Sequence, residues 1–169
     1  MSDTAADGPE RTPDGRHIIV NGRKWRASDP SIPDQLRSQL VEELMTARRL
    51  VKSHGDSVRF RVQDAKIALG ERGEPWWEAT DEGRRERLAA TIRVLLRHRD
   101  AGNTICPSEA ARVVGGDQWR DLMPITRDVA GELVRTGEVT VLQKGEPVDI
   151  DAVSGPIRIG AGFQLRDLS

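Results

Sequence analysis

Leu36, Leu40, Leu44, Ala47 and Val51 recur in steps of four, four, three and four residues. That spacing gives Asp34–His54 one solution, a helix with a single apolar face. The pattern repeats after His54-Gly55-Asp56 in Val58, Val62, Ala65 and Leu69. Asp56 or Ser57 stands where a side-chain cap is needed, and Gly70 and Gly73 stand where the helix should stop. Neither stripe can face water alone, so the two segments predict an antiparallel helical hairpin.

Upstream, Met1–Gly15 is rich in Asp, Gly, Pro, Thr and Ala and reads as a disordered tail. His17-Ile18-Ile19-Val20 and Arg23-Lys24-Trp25-Arg26 flank Asn21-Gly22. Asn-Gly suits a type I′ turn, whose two central residues both need positive φ, so a β-hairpin is expected. A two-stranded ribbon is not stable alone, and Trp25 is expected to anchor it on a helix. Glu74-Pro75-Trp76-Trp77 follows the second helix. Two adjacent tryptophans cannot share one helical stripe. They read as a docking corner between the halves of the chain, or as an aromatic platform for bases or a partner.

Beyond Asp81-Glu82-Gly83-Arg84 the rhythm changes. Arg85–Arg99 reads as a helix with Leu88, Ile92, Leu95 and Leu96 inward. Thr104-Ile105-Cys106 is strand-like, and Pro107–Val114 is a short helix with Pro at its first position and Glu at its third. Gly115-Gly116 turns the chain into a longer helix from Asp117 to Gly137, which Pro124 splits or kinks. Val139–Gln143 and Pro156–Ile159 read as strands around a Gly/Pro/Asp-rich loop from Lys144 to Gly155. That order predicts a winged helix-turn-helix. The expected fold class is α+β, mostly α. Its parts are a tail over 1–15, a β-hairpin and helical hairpin over 16–80, the winged helix over 81–160 and a C-terminal tail over 161–169.

The C-terminal half resembles an uncharacterised bacterial family, domain of unknown function 3253. The resemblance is carried by Thr104–Arg112, Trp119-Arg120 with Leu122-Met123-Pro124, Gln143-Lys144-Gly145 with Pro147-Val148-Asp149, and Gly155-Pro156-Ile157-Arg158. The N-terminal half is similar to the segment preceding this domain in actinobacterial members. The shared features there are Gly22–Arg26, Asp29-Pro30, Leu44-Met45, Ala47-Arg48-Arg49, Gln63–Lys66, Ala68–Arg72 and Pro75-Trp76-Trp77. Such proteins often carry a Tol-type biopolymer transporter label, which is set aside because no segment here could span a membrane. The resemblance implies a winged-helix-like fold and no activity.

Composition narrows the function classes. No apolar run approaches the ~20 residues of a membrane span, and no signal-peptide pattern is seen. Cys106 is the only cysteine, which suggests a reducing cytoplasm. With three histidines and one cysteine, no metal site is expected. No nucleophile–base set, phosphate-cradling glycine loop or carboxylate pair stands out, so neither an enzyme nor a cofactor is indicated. Cys106 precedes a helix start, where a thiol can be activated, but a small space-filling side chain is the simpler reading.

With a formal net charge of −1, nucleic-acid binding would need a local basic patch. Two candidates exist. On the longer C-terminal helix Arg120, Arg127 and Arg135 share one side, with Gly131 between them and Asp121, Asp128 and Glu132 alongside. That stripe suits a phosphate backbone or is a solvated face closed by pairs such as Asp128 with Arg135. The wing supplies Lys144 against Glu146, Asp149 and Asp151, which would repel phosphates. The second candidate is N-terminal. Arg16, His17, Arg23, Lys24 and Arg26 lie on or beside the ribbon, and Arg48, Arg49, Lys52, Arg59 and Arg61 flank the helical-hairpin turn. The expectation is therefore a nucleic-acid-binding winged-helix protein of unspecified oligomeric state. The alternative is a protein–protein interaction module on a degenerate winged helix.

Overall fold

The computed structural model describes residues 8–167. Its N-terminal part is a three-stranded antiparallel sheet of β1 (Glu10–Arg11), β2 (His17–Val20) and β3 (Arg23–Arg26), with β2 central. The β2–β3 turn has Asn21 at φ 51° and Gly22 at φ 78°, both in the left-handed region that the Asn-Gly signal required. β1 corrects the tail reading for residues 10 and 11. Glu10 pairs with Ile19 and Arg11 with Ile18, satisfying an edge of β2 that a lone hairpin leaves open. Residues 1–7 of that tail lie outside the described residues.

Helix α1 (Asp34–His54) has the bounds its periodicity predicts, and it buries Leu36, Leu40, Leu44 and Ala47. A 3-10 turn, Gly55–Val58, leads into α2 (Arg59–Leu69). Neither Asp56 nor Ser57 caps α2: Asp56 pairs with Arg59, and the Ser57 hydroxyl donates to the His54 carbonyl. Gly70 ends α2 at φ 85°, where an added Cβ would also meet Trp76 Cδ1 at 3.0 Å.

Helix α3 (Asp81–His98) begins one turn before Arg85, because the Thr80 hydroxyl caps it by accepting the Gly83 N–H at 3.2 Å. α4 (Pro107–Gly115) starts with the Glu109 carboxylate accepting the Cys106 N–H at 2.7 Å. A 3-10 segment, Gly116–Leu122, precedes α5 (Met123–Arg135), with Pro124 in the first turn of α5. The split expected at Pro124 therefore falls there. β4 (Val139–Gln143) turns through Lys144 (φ 53°) and Gly145 (φ 82°) into β5 (Glu146–Pro147). That tight turn lay inside the segment read as loop. β6 (Arg158–Ala161) pairs antiparallel with the other edge of β4, Val139 opposite Ala161 and Leu142 opposite Arg158. Ile105 bridges to Ile159 on the far edge of β6.

Of the segment read as a C-terminal tail, residues 161–167 are docked, and 168 and 169 lie outside the described residues. Ala161 belongs to β6, and Gln164 N–H donates to the Gly137 carbonyl at 3.0 Å. Arg97 donates to the Arg166 carbonyl at 2.8 Å and Arg61 to the Asp167 carbonyl at 3.1 Å.

One core runs through both halves. Leu36, Leu40, Leu44, Ala68 and Leu69 pack with Leu88, Ile92, Leu95, Ile105, Val113, Val129 and Ile159. The two halves meet along this core, with Arg87 as its buried polar junction, and not at a tryptophan corner. Arg87 donates to Asp29 Oδ2 at 3.0 Å, the Ala68 carbonyl at 3.0 Å and the Val113 carbonyl at 3.3 Å, and all three bonds are buried. Trp76 and Trp77 are half-buried on a 3-10 turn and hold the ribbon. Trp76 Nε1 donates to the Ala27 carbonyl at 3.0 Å, and the edge of Trp77 packs on His17 with centroids 5.6 Å apart. Trp25 is not the anchor and remains 43% exposed.

Removing one partner of a buried, hydrogen-bonded ion pair leaves the other charge uncompensated. Arg87→Met is expected to cost about 3–5 kcal/mol in chemical denaturation. A loss below about 1 kcal/mol would show that the pair is dispensable.

Candidate nucleic-acid interface

The register of β2 and β3 puts Ile18 opposite Trp25 and Val20 opposite Arg23. Alternate residues of a strand share a face, so Ile18, Val20, Arg23 and Trp25 lie on the same side of the sheet. Ile18, Val20 and Trp25 line a groove whose other walls are Arg48 of α1, Lys66 of α2, and Glu71 and Arg72 beyond α2, with Arg26 at one end. Its volume is about 500 Å³. Arg48, Lys66 and Arg72 also line a second depression of about 690 Å³, floored by Val51, Phe60 and Val62 and rimmed by Lys52 and Arg59. The two depressions therefore share a cationic saddle.

Among the described residues, Arg23, Lys24, Arg26, Arg48, Lys52, Lys66 and Arg72 form no ion pair. Two acids approach the groove. Glu71 accepts the Ser28 hydroxyl at 2.6 Å, and Asp56 pairs with Arg59. Burial lowers the Lys66 pKa, and the nearby Arg72 and Arg48 guanidiniums lower it further. The Glu71 carboxylate opposes this shift without reversing it, as expected where cations outnumber the acid among them.

The predicted N-terminal cations divide into several environments. Arg48 lines the groove. Arg23 stacks 4.5 Å from the Trp25 ring. Arg16 and Arg26 lie 5.0 and 5.9 Å from the Trp77 ring, and Arg26 also donates to the Gly73 carbonyl at 2.8 Å. Lys24 alternates to the opposite face of β3 and is exposed, and Arg49 donates to Thr46 Oγ1 at 3.1 Å. Arg61, expected on the basic surface, is buried instead and donates twice to Glu43 at 2.8 Å. Burial works against its charge, but the bonds to Glu43 outweigh that and raise its pKa. Lys66 and Arg72 escaped the sequence reading. Lys66 flanks the α2 apolar stripe, one residue after Ala65, and only the fold brings it to Arg48 and Trp25.

Arg120 lies in the 3-10 segment before α5, and it, Arg127 and Arg135 are dispersed by their contacts. Arg135 faces Asp151 at 3.8 Å, Arg127 reaches the Gly155 carbonyl at 3.4 Å, and Arg120 lies 4.5 Å from the Trp119 ring. Asp128 pairs with Arg85 at 3.5 Å rather than with Arg135, and Glu132 also pairs with Arg85 at 3.0 Å. Ile150 packs beside Gly131, 3.5 Å from where a Cβ would stand, and both line an open depression of about 520 Å³ with Arg127, Asp128, Glu132 and Arg135. The loop after β5 thus rests on the face that the sequence reading assigned to phosphates. Lys144 sits alone at its β-turn, with Glu146 and Asp149 exposed nearby in the chain.

Residues 85–162 match the family described as Protein of unknown function (DUF3253). The match runs from the second turn of α3 through β6 and carries the resemblance seen in that half. Residues 1–84, and with them the groove, lie outside it. No curated protein matches the chain. Among the described residues no helix is long and apolar enough to cross a membrane, and no cluster of His, Cys, Asp or Glu is arranged to hold a metal.

A lysine whose folded pKa is lowered opposes folding while it is charged. The penalty is complete below its folded pKa and vanishes above its unfolded value, near 10.5. Lys66→Met should therefore raise the denaturation midpoint at pH 7, with the gain over wild type shrinking as pH climbs toward that value. A midpoint that falls at pH 7 would mean the ammonium is held by a favourable partner.

Proposed function

We propose that the protein binds nucleic acid through the groove between its ribbon and helical hairpin, on a scaffold whose C-terminal half is a winged helix-turn-helix. The cluster of cations without ion pairs around an apolar floor carries this reading. The element order α3, Ile105, α4, α5, β4, β6, with Ile105 and β4 pairing on either side of β6, supports the winged-helix assignment. The expected recognition face is open but sets Asp128, Glu132 and Asp151 among its arginines, which favours the N-terminal half for phosphates.

Charge decides between the two halves. The segment from Asp117 to Arg135 holds Arg120, Arg127 and Arg135 against Asp117, Asp121, Asp128 and Glu132. That field cancels beyond a Debye length of ~8 Å at physiological salt. The ribbon segment from Arg16 to Arg26 holds no acid, and its field persists to that range.

A second reading, a protein-interaction module on the same scaffold, draws on a different surface. Phe163 is fully exposed beside an apolar cleft formed by Val139, Val141, Pro147 and Val148.

The two readings separate in a salt series with nucleic acid. Each phosphate contact contributes a slope of ~0.7–0.9 in log affinity against log salt. Arg48→Ala with Arg72→Ala should lower the wild-type slope by about one to two units. Arg120→Ala with Arg127→Ala should leave it nearly unchanged. No measurable affinity for DNA or RNA at low salt would remove the nucleic-acid reading in favour of the protein-interaction one.

A further inference from the structure

We infer that the groove is a single-strand site, in which bases enter the two apolar depressions and a backbone phosphate lies on the saddle between them. The inference rests on the nucleic-acid reading above and specifies its ligand. The groove alternates in character along its length. Ile18, Val20 and Trp25 floor the first depression; Arg48, Lys66 and Arg72 are shared by both; Val51, Phe60 and Val62 floor the second. Apolar, cationic, apolar is the order in which a single strand presents base, phosphate, base.

A duplex cannot use this alternation. Its bases are stacked and paired inside, and it offers a protein phosphates, sugars and base edges in the grooves. Against a duplex the saddle would find phosphates while the apolar floors stayed wet. A single strand can turn its bases outward onto apolar and aromatic side chains while a positive groove follows its backbone.

Trp25 is the natural platform. It is 43% exposed although it lies on a sheet face that lines a groove. The ribbon is held without it, by Trp76 on the Ala27 carbonyl and by Trp77 against His17. The Arg23 guanidinium stands over its ring at 4.5 Å and Lys66 Nζ at 6.0 Å, so a base stacking on Trp25 displaces a cation that can then meet its phosphate. Glu71 is the one acid lining this depression, and its bond with the Ser28 hydroxyl gives it a partner within the protein.

The test measures fluorescence anisotropy of the full chain with labelled oligothymidylate of about twelve nucleotides, within the usual single-strand site range. A blunt duplex of the same length is measured at the same salt. The single strand should bind at least tenfold more tightly. Trp25→Ala should weaken single-strand binding on the order of tenfold, with the duplex affinity and the salt slope unchanged, and Trp25→Phe should retain most of the affinity. Unchanged duplex binding also shows that the variant is folded. Duplex binding equal to or tighter than single-strand binding overturns the inference while the nucleic-acid reading stands, and so does single-strand binding indifferent to Trp25→Ala. Failure of both probes to bind removes both readings together.

Discussion

The Arg87 guanidinium sets the relation between the two halves. It belongs to α3, yet its bonds go to the connector before α1, to the end of α2 and to α4. Burial lowers its pKa, and the Asp29 carboxylate opposes that loss of charge. Asp29 is itself fixed, since its second oxygen accepts the Ser31 N–H at 2.9 Å and the Ser31 hydroxyl at 2.7 Å. Its N–H donates to the Leu69 carbonyl at 2.9 Å, beside the left-handed Gly70. Asp29 lies three residues beyond the end of β3, so the same contacts that join the halves also set where the ribbon leaves the body. The separation of Trp25 from Lys66 follows from that anchoring. An ion pair this deeply buried is weak evidence for net stability. Its clearer consequence is geometric: four segments must arrive in register before the guanidinium is satisfied.

A near-neutral chain acquires a local field because its acids are consumed unevenly. Glu43 is paired with Arg61, Asp64 with Arg97, Glu138 with Arg93, Glu109 with Arg99, and both Asp128 and Glu132 with Arg85. These pairs tie elements together, as where Arg97 and Arg93 of α3 flank Asp64 of α2. Acids used in this way do not screen the groove, where Glu71 is the one acid beside Arg48, Lys66 and Arg72. A net charge of −1 therefore says little about the field that a ligand would meet at the groove.

Periodicity and turn chemistry made most of the elements legible. The 4-4-3-4 stripe placed α1 with its observed bounds, Asn21-Gly22 placed the β2–β3 turn, and Pro107 with Glu109 placed α4. These are local signals, each satisfied within about a dozen residues. What failed was non-local. Nothing in Glu10-Arg11 announces a strand, since its pairing is supplied by β2. Trp76 and Trp77 look like an interface between halves because size and apolarity report that a ring is packed and not what it packs on. Arg61 was counted with the basic surface because its Glu43 partner lies on another helix. The groove was half legible. Arg23, Arg26 and Arg48 could be flagged by local charge, whereas Lys66 and Arg72 join them only through the packing of α2 on α1.

The division of labour between the halves follows from what each can leave unsatisfied. On α5 the arginines share their face with acids: Arg127, Arg135, Asp128, Glu132 and Asp151 line one open depression of about 520 Å³, with Ile150 against Gly131. An approaching phosphate would meet those carboxylates together with the arginines. The ribbon carries no such acids between Arg16 and Arg26. Its groove-side face carries Val20 and Trp25 in the open, although a sheet face of this kind would normally be packed. The scaffold tolerates this because the core is completed elsewhere, by α1, α2 and α3 around the Arg87 junction. A ribbon held at its far edge by Trp76 and Trp77 can therefore keep its other face apolar and cation-rimmed, which are the properties a ligand with both planar and anionic parts would use.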